Sequence, residues 1–286
     1  MLELVFFFLL ISLSLILTFI LLHILLLLTG FSSRPYKTFS HVSSIMFRDK
    51  ATKIKDILEI FKPVVYQDVN LMGPPPYKIL GEFVEDPNKN EYILIYRIVW
   101  GTESHPNKYS RISYDLFRYC YYGSVSDIEY IQIHIDLRGK IKKIIFETEL
   151  SNDPNIQNPE HTTVTLIAPE QEKHYSSKIS DNWIIYIPDK NIKKNQKIEF
   201  ESETHFKIKV LTWNHLFSLD QKIDNLQRHD LPIEELKDEI YEEYKMNRRS
   251  GGIKAKEPVN KTVEFFSLLS LILSTTISYL FLTYFL

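Results

Sequence analysis

Two uncharged runs bracket the chain. From Leu4 to Leu28, Leu, Ile and Phe follow one another with only His23 and a few hydroxyls between them. From Phe265 to Leu286 the same pattern returns. Neither run keeps a polar helical face, so each predicts a helix solvated by lipid. The first, 25 residues long, would extend about 37 Å as a helix, enough to cross a hydrocarbon core of about 30 Å with some tilt. A cleaved signal sequence fits it less well, because Glu3 is the only early charge and the apolar run is too long. A processed lipid-anchor signal fits the second run less well, because the small residues Ser250, Gly251 and Gly252 lie too far upstream.

The intervening pattern changes to short alternating runs. Ser44 to Phe61 reads as an amphipathic helix closed by Pro63, with Ile45, Ala51, Ile54, Ile57, Leu58 and Phe61 near one stripe. Val64 to Val69 predicts a short strand, and Tyr92 to Trp100 a strongly apolar one. Asp127 to Leu137 and Ile141 to Glu149, with Gly139 at the turn, predict a hairpin. Thr162 to Ile167, Trp183 to Ile187, Ile198 to Phe200 and Phe206 to Trp213 add further strands. Asp230-Leu231-Pro232 opens a last amphipathic helix, with Glu234 and Glu235 in its first turn and Lys245, Arg248 and Arg249 at its end. Short strands at this spacing favour a mostly β, sandwich-like domain with peripheral amphipathic helices. The chain then divides into an anchor (1–30), a basic segment and helix (31–62), a β domain (63–217), an amphipathic helix (218–252), a basic linker (253–263) and a second anchor (264–286).

Charge adds an orientation. Arg34, Lys37, Arg48, Lys50, Lys53 and Lys55 follow the first anchor, and Lys245, Arg248, Arg249, Lys254, Lys256 and Lys261 precede the second. No Lys or Arg lies beyond either anchor. The positive-inside bias therefore predicts a multi-pass protein with two spans and the central domain on the cytoplasmic side. Arg248, Arg249, Lys254 and Lys256 are candidate contacts for anionic lipid headgroups, although stop-transfer charges need no such role. Setting Glu3 and Glu264 aside, the middle of the chain carries 34 acidic against 34 basic side chains. That balance gives no electrostatic footprint for nucleic acid. Cys120 is the single cysteine, which excludes an intrachain disulfide and a cysteine-based zinc cage.

Candidate chemistry concentrates in Asp127-Ile128-Glu129-Tyr130-Ile131-Gln132-Ile133-His134-Ile135. On a strand, Asp127, Glu129, Ile131, Ile133 and Ile135 share one face, and three large apolar residues make that the core face. Two carboxylates there need neutralising. An Arg or Lys partner is one solution and a hard divalent cation, calcium or magnesium, is the other; spacing alone favours the ion pair. His134 points the other way, and His105, His161 and His174 fall in loops.

The same motif resembles the necrosis- and ethylene-inducing-like cytolysins, a β-sandwich family. Lys62-Pro63-Val64-Val65-Tyr66, the Tyr92 to Trp100 strand, Asp127-Ile128-Glu129 and Thr204-His205 match in order. Leu211-Thr212-Trp213-Asn214-His215-Leu216 and Leu231-Pro232-Ile233 then resemble that family's closing segment. The resemblance implies a divalent-cation site with Asp127 and Glu129 as ligands, Glu103 as a third and His205 nearby. Ser124 and Ile128 stand where the family has a histidine and a tryptophan. Three functions compete: a noncatalytic binding module for a partner protein or lipid headgroups, an envelope scaffold, and a metal-dependent hydrolase at the membrane surface. The order of preference is the order given.

Overall fold

The structure is a computed structural model that describes residues 2–28, 44–48, 50–68, 73–86, 88–103, 105–107, 111, 115, 118, 125–151, 153–169, 179–202, 204–220, 225–244 and 256–285. Cys120, Ser124, His174, Arg248, Arg249 and Lys254, and the side chain of Lys256, lie outside what is described. The chain forms two compact units, one built on the terminal helices and one on most of the residues between them.

In the first unit, helix α1 (Leu2–Leu28) packs against the terminal helix α4 (Lys256–Phe285). Its outer faces are apolar: Phe8 and Leu15 are each 60% exposed, and Leu268, Ile272 and Phe281 are also exposed. The seam is small and polar instead. Ser14 on α1 and Ser270, Ser274 and Ser278 on the C-terminal helix are buried, and the hydroxyls of Thr18 and Ser274 hydrogen-bond across it. Val5–Leu22 is long and apolar enough to cross a membrane. The expected second span is not supported in the same way, because the apolar part of the C-terminal helix, Leu268–Tyr284, is shorter.

The second unit is mostly β. Helix α2 (Ile54–Ile60) lies within it, and the short helix α3 (Asp238–Glu243) begins in it. Eight strands form one sheet: β4 (Lys78–Asp86), β5 (Glu91–Trp100), β6 (Asp127–Asp136), β7 (Ile141–Thr148), β8 (Thr162–Ile167), β9 (Ile179–Ile187), β10 (Ile192–Glu199) and β13 (Ile233–Glu235). Their order is β10-β9-β8-β7-β6-β5-β4-β13, antiparallel throughout except that β13 runs parallel to β4. A smaller sheet sets β3 (Val64–Gln67) between β11 (Lys207–Lys209) and β12 (Gln227–His229). A hairpin of β1 (Ser44–Phe47) and β2 (Lys50–Lys53) precedes α2.

One core joins these pieces. Leu94, Tyr96, Ile98, Ile131, Ile133, Ile144 and Phe146 of the large sheet bury with Val65 and Ile208 of the small one and with Ile57, Leu58 and Phe61 around α2. Each wholly buried aliphatic side chain here contributes about 2 kcal/mol by area. Gly81 on β4 lets α2 approach: a Cβ there would stand 3.0 Å from the side chains of Leu58 and Ile233. The β6–β7 turn uses Gly139 at φ +80°, directly beneath Phe47.

Three expectations are corrected. Ser44 to Phe61 is not one helix: its first half is the β1–β2 hairpin, turned at Arg48 (φ +49°), and the helix starts only at Ile54. Phe47 gains burial against the β6–β7 turn, which outweighs the helical spacing of its segment. The helix expected after Asp230 begins as strand β13, whose ladder with β4 takes up the carbonyl of Pro232 through Ile79 N–H at 2.9 Å. Phe206 to Trp213 is a strand only over Lys207–Lys209, because Leu211 to Leu216 closes a turn with Leu211 N–H on Leu216 O. The β5 strand and the β6–β7 hairpin stand as expected.

Candidate functional site

Where β5 ends and β6 begins, Trp100 and Asp127 are cross-strand partners. Asp127 and Glu129 do share the core face with Ile131, Ile133 and Ile135, and both carboxylates are buried. The ring of His215 donates through Nδ1 to Asp127 Oδ2 at 2.8 Å, with His215 wholly buried.

His215 is positioned from three sides. The Trp100 indole stacks flat on the imidazole, with centroids 4.4 Å apart and planes 8° from parallel. Trp100 is pinned in turn, since its Nε1–H donates to Gln67 Oε1 at 2.8 Å, while Gln67 Nε2 donates to the carbonyls of Gly73 and Pro74. The backbone of His215 is left-handed, at φ +62°, a conformation that costs a non-glycine residue about 1–2 kcal/mol. The turn sustains it: His215 N–H donates to Thr212 O, and Leu216 N–H to Thr212 Oγ1. His215 Nε2 is enclosed, with no hydrogen-bond partner among the described residues.

The residue before it links a second pair. Thr212 Oγ1 donates to Asn214 Oδ1 at 2.6 Å, which leaves Asn214 Nδ2 to donate to His161 Nε2 at 3.2 Å. His161 then donates through Nδ1 to the buried Glu147, at 2.6 Å. In this chain of roles His161 donates through Nδ1 and accepts at Nε2. Trp213 ties the same turn to the loop beyond β7, donating to the carbonyls of Ile156 and Gln157, and His105 packs edge-on against it. Three consecutive residues, Trp213, Asn214 and His215, therefore anchor one turn to three parts of the domain.

No family model, curated protein or solved structure matches the chain. The likeness to the cytolysins rests on the sequence motifs alone.

Of the four residues expected to hold a cation, the structure brings none to a shared centre by any contact it describes. Asp127 faces His215, Glu129 and Glu103 are buried, and His205 sits elsewhere. Its Nδ1 contacts Ser202 Oγ and its Nε2 the carbonyl of Glu59, beside α2. Among the described residues, no group of three His, Cys, Asp or Glu is placed to hold a metal ion. The residues that organise the site, Gln67, Glu147, His161, Asn214 and His215, carried no sequence spacing that joins them, because they come from four separate segments.

A third pair lies on the opposite face of β6. Buried His134 meets Glu91 Oε1 through Nδ1 at 2.9 Å, with Lys143 at 3.9 Å from the same carboxylate. Burial, and then the charge of Lys143, push the imidazole down to about 4 despite Glu91, so at neutral pH this ring carries no charge.

Proposed function

We propose that the chain is a two-span membrane protein whose β-sandwich-like central domain works without catalysis, as a binding module at the cytoplasmic face. The observation that carries the membrane part is the inverted polarity of the helix pair. Leu, Ile and Phe face outward from α1 and α4, and hydroxyls face the seam between them. A helical pair in water would do the opposite; in lipid, small hydroxyl residues let helices approach while the apolar faces meet acyl chains. This supports α4 as a second span even though its apolar stretch is short, since tilt and local thinning accommodate such a mismatch.

The noncatalytic part is supported by how the acid–base groups are used. A general base must reach its substrate's proton. His215 Nε2 is enclosed, Asp127 Oδ2 accepts from His215, and both nitrogens of His161 are engaged by the protein. These pairs hold the 211–216 turn in place. The basic residues flanking the anchors, Arg248, Arg249, Lys254 and Lys256 among them, supply affinity for anionic headgroups.

The test is a cysteine map of the full chain in native membranes, with Cys120 replaced by serine. Thr18→Cys with Ser274→Cys should form an intramolecular disulfide. An impermeant maleimide should label cysteines at both termini from outside and spare Ser180→Cys. Failure of the crosslink together with labelling of the C-terminal cysteine from the cytoplasmic side would reduce the protein to a single span.

A further inference from the structure

Strand β10 is the outermost strand of the large sheet at its β9 side, and among the described residues no strand lies beyond it. Its ladder with β9 is regular from Ile192 to Gln196 and shifts only before Ile198. Five residues thus present an unbroken outer edge of backbone donors and acceptors. The side chains along this edge are unusually basic. Lys190, Lys193, Lys194 and Lys197 are all exposed, and Asp189 is the single acidic residue in the sequence from Tyr186 to Ile198, in a chain whose net charge is −2; Lys190 is ion-paired to Glu160 at 3.5 Å. Ile192 and Tyr186 are exposed apolar residues among them, 41% and 36% accessible, and Tyr186 lies directly across from Lys193.

We propose that β10 is a docking edge for an acidic, extended segment of a partner protein, which adds to the sheet as a further strand. Lysines on an edge strand oppose generic strand pairing, and they oppose a second copy of the same strand most of all, because like charges would then face each other. A segment alternating carboxylates with apolar residues meets neither obstacle. Alternation sets Lys193 and Tyr186 on one face of the sheet and Ile192 and Lys194 on the other, so the added strand's backbone completes the ladder, its carboxylates lie on the face of Lys193, and its apolar side chains pack on the other face beside Ile192 and the stem of Lys194. The inference deepens the binding-module reading and rests on it. It is tested in detergent micelles, so its outcome is separate from that of the topology.

The probe is a fluorescent seven-residue peptide alternating glutamate and valine, titrated by anisotropy against the full-length protein in neutral maltoside micelles. Saturable binding in the micromolar range is expected, weakening as salt is raised. Two controls separate strand addition from simple charge attraction. The same peptide with every second backbone amide N-methylated keeps its charge and should bind at least tenfold more weakly. The variant Lys193→Glu with Lys194→Glu, changed only at exposed positions, should also lose at least tenfold for the unmodified peptide. Equal affinity for the N-methylated peptide would overturn the proposal in favour of undirected attraction. No saturable binding below millimolar peptide would overturn it too. If micelles doped with phosphatidylserine then bind in a charge-reversal-sensitive way, the lysines serve a lipid surface. If the protein instead dimerises with concentration, the edge belongs to a second copy.

Discussion

Strand β6 carries a carboxylate–histidine pair on each of its faces, and their surroundings could hardly differ more. Asp127 and His215 meet on the core side, at the strand's start, under the stacked indole of Trp100. His134 and Glu91 meet on the other side, near the strand's end, with Lys143 beside them. In the first pair the histidine comes from a distant turn and is what holds that turn against the sheet. In the second both residues come from neighbouring strands that pair regardless, so the contact adds little that the ladder does not already enforce. The same two functional groups thus stitch a fold together at one end of a strand and decorate it at the other.

The largest expected effect follows from breaking the first pair. His215→Ala removes the stacked ring and the imidazole donor to buried Asp127 Oδ2, a loss of about 3–5 kcal/mol for a severed buried pair. The full-length protein in detergent should then melt on the order of 10 °C lower. A drop of only a degree or two would mean that Asp127 finds other partners and that the turn is held mainly by Trp213. His161→Ala comes next. It removes one donor to Glu147 and the acceptor of Asn214 Nδ2, but His161 is partly exposed and water can replace it. A loss of about 1–3 kcal/mol is expected, read in the same melting assay, and a loss equal to that of His215→Ala would make the two pairs one cooperative unit.

The smallest effect concerns His134, and pH reveals it. Its imidazole titrates at about 4 in the folded protein against about 6.5 in an unfolded chain. Between those values the unfolded state binds the extra proton, so this residue's contribution is complete above pH 6.5 and is lost as pH falls toward 4. His134→Gln should change the melting temperature little at pH 7 and flatten the decline between pH 6.5 and 4. An unchanged slope in the variant would assign the acid sensitivity to other groups.

Much of this contrast could be read along the chain, but only one side of each contact. Alternation placed Asp127 and Glu129 on the core face and His134 opposite, because strand geometry admits no other arrangement. It also identified β5 and the β6–β7 hairpin, where local pattern and tertiary pairing agree. It misread Ser44 to Phe61 and the segment after Asp230, where helical spacing competes with a partner strand or a packing site that lies far off in the chain. It could not name His215, since nothing local distinguishes that histidine from His205, ten residues earlier.

What the amino-acid order determined by itself was whatever depends on neighbours in sequence: the apolar N-terminal helix, the β character of the middle and the faces of β6. Those follow from hydrophobicity, period and charge, which act over a few residues. Which group would answer the buried carboxylate was decided only by the tertiary structure. Threonine, tryptophan, asparagine and histidine at 212–215 acquire their partners when a left-handed turn is pressed against the ends of β5, β6 and β7. The energy that holds His215 in that strained backbone comes from contacts with Trp100 and Asp127, which are remote in the chain and adjacent only in the fold.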